Sequence, residues 1–183
     1  DTPIFQEYDH RLGWYAGAAW DDAMGWHVEL SRYDNRADPS AHSDDYFAWR
    51  TKFWSAGASY KMDEFTLLAQ GMTGDTAIEP FDNFYSTTDF DSAYVLLGWE
   101  RGQWRLAGRG DVFHTRNYTS HGAGRFGENG HSLTLAASFL PRDWLRLTAE
   151  AIAIDSKRAE RALAGLDPQQ TEAQTQFSVR IYF

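Results

Sequence analysis

Apolar and polar side chains alternate along most of the chain. The closing stretch QFSVRIYF shows the pattern in full, with Phe177, Val179, Ile181 and Phe183 on one side and Gln176, Ser178, Arg180 and Tyr182 on the other. A period of two belongs to a strand whose faces meet different surroundings, and stripes at the helical period are scarce. The pattern predicts nine strands, over about 11–20, 25–34, 46–61, 64–75, 91–100, 103–117, 130–140, 143–155 and 172–183. Between the last two, SKRAERALAGL (156–166) is polar and holds one short loop helix at most. In the third segment Trp49 and Thr51 alternate out of step with Ala56, Ala58 and Tyr60, which calls for a bulge near Phe53 to Ser55.

The connections alternate in length. Short ones fall at Asp21 to Met24, Lys61 to Asp63, Glu100 to Gly102 and Leu140 to Arg142; long polar ones fall at Asn35 to Asp45, Thr76 to Asp89, Tyr118 to Asn129 and Ser156 to Thr171. Tight turns at one rim and long loops at the other are the habit of antiparallel transmembrane β-barrels, whose turns are periplasmic and loops extracellular. Large aromatics flank the short turns: Trp20 and Trp26, Tyr60 and Phe65, Trp99 and Trp104, Phe139 and Trp144, and finally Phe183. Amphipathic rings favour the lipid headgroup layer, so this set reads as a membrane girdle. The fold expected is all-β, an antiparallel transmembrane β-barrel domain over 1–183 with nine to ten strands in this chain.

Composition leaves that reading open. The chain has 183 residues, 43% hydrophobic and 23% charged, and its mean hydropathy is −0.56. No apolar run reaches the roughly 20 residues of a spanning helix, but barrel strands show lipid only every second side chain and average out as mildly polar. Cysteine is absent, which removes disulfides and thiol chemistry. A net charge of −9 argues against nucleic acid as a partner.

The side opposite the apolar one carries Glu29, Gln70, Arg105, Arg109, Asp111, Arg146, Glu150 and Arg180. Charges in such numbers need water or partners, and a wet lumen supplies both. Arg105, Arg109, Arg146 and Arg180, placed on three adjacent strands, are expected to form a positive stripe balanced by Asp111 and Glu150 opposite or diagonal to them, favouring small anionic or zwitterionic solutes. Nine crossings ending in the periplasm put the first strand's start outside, whereas natural barrels have an even strand number. Either residues 1–10 supply a weak extra strand, against which Pro3 speaks, or the chain is the C-terminal portion of a larger barrel; the second is preferred.

Several stretches carry a resemblance: GWYAGAAW (13–20), SRYDNRADP (31–39), AWRTKFWSAGASY (48–60), LLAQGMTG (67–74), TTDFDSAYVLLGW (87–99), AIAIDSKR (151–158) and the last strand. They resemble the C-terminal halves of porin-like proteins of Gram-negative bacteria, loosely akin to phosphate-selective porins. The resemblance implies a bacterial outer-membrane location, a further barrel-forming stretch upstream and no particular functional residue. The terminal Phe183 looks like the signal by which outer-membrane proteins are taken up by the barrel-assembly machinery.

Other motifs carry less. Gly122-Ala-Gly124-Arg-Phe-Gly127 matches a dinucleotide pattern by letter but lies between antiparallel strands without a following helix. Asp34, Asp38, Asp44 and Asp45 gather oxygens without a fixed calcium-loop spacing, so no metal is expected. An outer-membrane enzyme acting on lipid is the competing class, through His114, His131 and Ser132. Strand parity turns Ser132 away from both histidines, and no third group orients a base. The expected function is passive, porin-like diffusion without catalysis or cofactor. Its partners are outer-membrane lipid and lipopolysaccharide, small hydrophilic solutes and the assembly machinery, and a structural subunit of an envelope complex or an oligomer is the remaining alternative.

Overall fold

In the computed structural model, which describes residues 9–43, 46–120 and 126–182, the alternating segments are strands. They are β1 Trp14–Asp21, β2 Trp26–Asp34, β5 Arg50–Met62, β6 Phe65–Phe81, β7 Phe84–Arg101, β8 Trp104–Thr119, β9 Phe126–Arg142, β10 Leu145–Arg158 and β11 Gln169–Ile181, with a small hairpin of β3 His42–Ser43 and β4 Tyr46–Phe47 inside the β2–β5 connection. A 3-10 helix, Ala159–Ala164, is the one helical element between β10 and β11. The nine long strands form one sheet in the order β1-β2-β5-β6-β7-β8-β9-β10-β11, every neighbouring pair antiparallel. An odd number of alternating strands leaves the two edges, β1 and β11, running in the same direction.

Among the described residues no second sheet or helix layer covers the nine-stranded sheet. Their buried apolar side chains are Ala48, Ala77 and Pro80, while Val95 is 54% exposed, Leu135 55% and Phe177 81%. The exposed aliphatics share one face: Val95 lies opposite Ala69 and Gly110, and Leu135 opposite Gly108 and Ala151. Over the middle of the sheet the other face carries most of the hydroxyls, amides and charges, as the period of two implies, whereas toward the long-loop rim the apolar face itself turns polar with Lys52, Asp75, Asp89, Asp91, His114 and Arg116.

The apolar face forms a band oblique to the strands. Hydrogen-bond register carries the row of Trp20 through Ala69 and Gly110 to Ala173. The last apolar residue described at the same rim of β11 is Ile181, eight residues past Ala173. At ~3.4 Å per residue and ~4.8 Å per strand, that offset across the sheet corresponds to a tilt of about 35°.

Several boundaries depart from the pattern-based expectation. The long connection expected over Thr76 to Asp89 is strand, because β6 and β7 continue to a turn at Asp82 and Asn83. Asn83 takes the left-handed backbone (φ 65°) that such a turn requires, and the Ile78–Phe81 register shift accommodates Pro80. Likewise β8 and β9 extend into the stretch read as Tyr118 to Asn129. No bulge occurs at Phe53 to Ser55, since β5 keeps one register with both neighbours. Trp49 precedes the strand and carries no parity, and Phe53 belongs to the polar face, stacked on Tyr33 at 5.2 Å. The Leu140 to Arg142 turn moves to Asp143 and Trp144, with an irregularity between Leu145 and Leu147. The first strand begins at Trp14 rather than 11. Residues 1–8, Asp44, Asp45, 121–125 and Phe183 lie outside the described residues.

Two strand glycines are fixed by their neighbours. A Cβ on Gly130 would stand 2.6 Å from the Asp155 carbonyl oxygen, 2.7 Å from Phe113 Cζ and 2.9 Å from Ser156 Cβ; one on Gly74 would stand 2.6 Å from Phe53 Cβ and 2.8 Å from Phe90 Cζ. The cross-strand phenyl rings occupy the space the glycines leave. Gly130→Ala should therefore cost about 1–3 kcal/mol in urea unfolding, whereas Gly110→Ala, with open space around its Cβ, should change stability far less.

The β2–β5 loop is held by polar contacts. Asp38 Oδ1 accepts from Ser40 Oγ (2.7 Å) and Ser40 N (3.1 Å), and Asp38 Oδ2 accepts from Arg11 (2.6 Å). The Ser40 hydroxyl, then its backbone amide, and the Arg11 charge hold the Asp38 carboxyl below the usual carboxylate value. A depressed value means the loop contacts are fully present above the ordinary carboxylate range and fade as pH falls through the lowered one. An NMR titration of Asp38 with a midpoint at or above the model-peptide value of 3.8 would contradict this.

Candidate functional site

The polar face holds the candidate site, and the register fixes which groups meet. One row runs Glu29, Gly57, Gln70, Tyr94, Asp111, Ser132 across β2 to β9. Glu29 leans over the glycine, since a Cβ on Gly57 would lie 3.0 Å from Glu29 Oε1. Gln70 donates through Nε2 to Ser55 Oγ (3.0 Å) and accepts from the Tyr94 hydroxyl (3.1 Å). The Arg109 guanidinium lies over the Tyr94 ring at 4.1 Å and donates through Nε to Asp111 Oδ1 at 2.8 Å. Ser132 Oγ donates to Asp111 Oδ2 at 3.0 Å. A planar cation stacked on an aromatic and bonded to a carboxylate is held in orientation and compensated in charge.

The arginine stripe is therefore uneven. Arg109 is neutralised by Asp111, two residues along its own strand. Arg105 is paired with Glu100 on β7 at 3.4 Å, a partner that sequence spacing did not suggest. Arg146 and Arg180 stand directly opposite each other on β10 and β11. Arg146 lies over the Tyr182 ring at 5.9 Å, and its Nε is buried without a hydrogen-bond partner. Glu150 faces Ala136 and Gln176 in register and forms no ion pair among the described residues. Of the carboxylates expected to balance the stripe, Asp111 does so at Arg109, while on β10 and β11 cross-strand register sets Arg146 and Arg180 against each other rather than against Glu150. The three strands are also not adjacent, because β9 lies between β8 and β10 and contributes Thr134 and Ser138. Beside the arginine pair, Ser138 and Thr148 hydroxyls are 2.8 Å apart, with Ser178 opposite Thr148.

Toward the long-loop rim the polar face is covered by the β10–β11 connection. Arg161, in the 3-10 helix, reaches back to Glu128 Oε1 (3.1 Å), Ser156 Oγ (2.8 Å), the Ser156 carbonyl (3.0 Å) and the Pro168 carbonyl (3.1 Å). Beneath it Ser156 is one of the few buried side chains. Sequence reasoning missed Arg161, Tyr94 and Ser55. Tyr94 and Ser55 share parity with Gln70's row and could be found once register is known, whereas nothing in a polar loop singles out Arg161.

The girdle residues gather beside the short turns. Trp26 stacks on Tyr60 at 4.6 Å, Trp104 meets Phe139 at 4.7 Å, and Phe65 is paired with Trp99, whose indole N–H donates to Glu64 (3.2 Å). Trp20 is exposed near the end of β1, and Trp144 occupies the β9–β10 turn itself. At the opposite end of the same face, His114 pairs with Asn129 and His131 with Val112, while Ser132 bonds to Asp111 on the other face. That separation removes a Ser–His couple. Among the described residues no three metal-ligating side chains converge, and Gly127 lies in β9. No protein-family model matches the chain, and neither curated proteins nor solved structures yield a match.

Proposed function

We propose that this chain forms part of an antiparallel barrel in a bacterial outer membrane and serves as a porin-like channel for passive diffusion of small hydrophilic solutes. The observation that carries the reading is the single-layer sheet with large aliphatic and aromatic side chains exposed on one face, most of the charge and hydroxyls over its middle on the other, and, among the described residues, no core between layers. An exposed apolar surface of that extent is foreign to a monomer in water and suited to hydrocarbon. Two further features support it. The oblique apolar band implies a tilt of about 35°, which lies in the range of barrel strands. Edges of like direction need an odd number of additional strands between them for an all-antiparallel cylinder, in keeping with a larger barrel.

In this reading the short turns and the β11 end are periplasmic, the long loops face outside, and the polar face lines water. Lipid and lipopolysaccharide meet the apolar face, and β11 is the strand presented to the barrel-assembly machinery. Preference for anionic solutes arises at Arg146 and Arg180, whose charges lack carboxylate partners, rather than at Arg109.

Two measurements test this. Purified protein should require detergent or lipid to stay monodisperse; a folded, monodisperse chain in plain buffer would sink the membrane reading. In planar bilayers, Arg146→Gln with Arg180→Gln should lower the anion-to-cation permeability ratio by about twofold or more, whereas the charge-neutral pair Arg109→Gln with Asp111→Asn should leave the reversal potential near that of the unaltered protein. Unchanged selectivity in the first variant would defeat the assignment.

A further inference from the structure

The polar face also carries a run of aromatic rings. Cross-strand register sets Tyr15, Tyr33, Phe53, Gly74 and Phe90 in one row across β1, β2, β5, β6 and β7. Tyr33 stacks on Phe53 at 5.2 Å with 28° between the planes. The Phe90 ring lies over Gly74, where a Cβ would stand 2.8 Å from its Cζ, so the glycine lets the aromatic surface continue to β7. Tyr15 is 68% exposed, and Tyr33, Phe53 and Phe90 are half-buried. The row spans four strand spacings, about 19 Å at ~4.8 Å each.

Hydroxyls line both margins of the row. On the long-loop side run Thr51, Thr76 and Thr88, with the Thr51 and Thr76 hydroxyls 3.0 Å apart and Thr88 Oγ1 accepting from Asn117 Nδ2 at 2.9 Å. On the girdle side stand Ser31, Ser55 and Ser92. From β1 to β7 these three rows hold no charged residue, and charge returns only one row further toward the girdle, at Glu29. Such a wall offers an ion no counter-charge, and a hydrocarbon lying on it would leave the hydroxyls without exchange partners. A sugar ring matches it. The C–H bonds of a pyranose give it an apolar side that lies against the negative face of an aromatic ring, and its rim of hydroxyls donates to and accepts from serine and threonine. We propose that this row is a binding site for neutral saccharides, which rests on the porin-like reading above and deepens it by naming a class of solute. Sugar units stack on the Tyr33 and Phe53 rings and on Phe90, and their hydroxyls exchange bonds with the threonine and serine margins.

Saturation-transfer NMR of the full chain in deuterated detergent tests this, with maltotriose, cellotriose and sorbitol as probes. At least one of the two trisaccharides should receive saturation at its ring C–H protons, rising to a plateau with concentration. Sorbitol, which has the hydroxyls but no ring, should receive none. Tyr33→Leu keeps apolar bulk while removing the ring face, and should weaken trisaccharide binding by about threefold to tenfold. Tyr15→Leu, at the exposed end of the row, should weaken it in the same direction and takes over if the Tyr33 variant does not refold. Saturation of neither trisaccharide, equal saturation of sorbitol, or unaltered affinity in the variant that folds overturns the proposal. Failure of the porin-like reading looks different: the chain then stays monodisperse without detergent, whatever the sugars do.

Discussion

A β-sheet satisfies its backbone within its own plane, but each face still needs something to lie against. Among the described residues no second layer supplies it: the backbone ladders join the nine long strands to one another, and the buried apolar residues are Ala48, Ala77 and Pro80 near the long-loop rim. The medium on each side must therefore do what a core does elsewhere. Proposing lipid for one face and water for the other makes the alternation of every strand intelligible at once, from Val28 and Leu30 against His27 and Glu29 to Val179 and Ile181 against Ser178 and Arg180.

Cross-strand register, more than the count of charges, sets the electrostatics of the polar face. Four arginines look equivalent along the sequence, yet two are compensated: one by Asp111 along its own strand, one by Glu100 across a ladder. The remaining two confront each other, Arg146 over the Tyr182 ring and beside the Ser138 and Thr148 hydroxyls. Like charges placed directly opposite destabilise a sheet unless counter-charge is drawn to them. In an enclosed, water-filled space that counter-charge would come from solute.

Much of the fold was legible because period-two alternation is strong where faces meet unlike surroundings, and Trp20, Leu135 and Phe177 fall where that rule puts them. Misplaced boundaries cluster where alternation carries no information about burial. The Thr- and Asp-rich stretch around Thr87 and Asp89 looks like loop by composition, yet β-branched residues and a two-residue turn let the ladder continue. The inferred bulge arose from giving Trp49 a parity when no strand holds it. For the candidate site, facing could be read from the sequence but partnership could not. Arg146 and Arg180 are 34 positions apart, and only the turn and loop lengths between β10 and β11 decide that they meet.

The connection after β10 shows order of a different kind. Its 3-10 helix buries no side chain of its own, Leu163 and Leu166 point into the open, and a single guanidinium makes the bonds to both neighbouring strands and to the loop's own return. A segment fastened by hydrophobic packing can loosen in stages as contacts are shed. One fastened by so few polar bonds depends on each of them, and losing the Arg161 guanidinium would release the segment from β9 and β10 together.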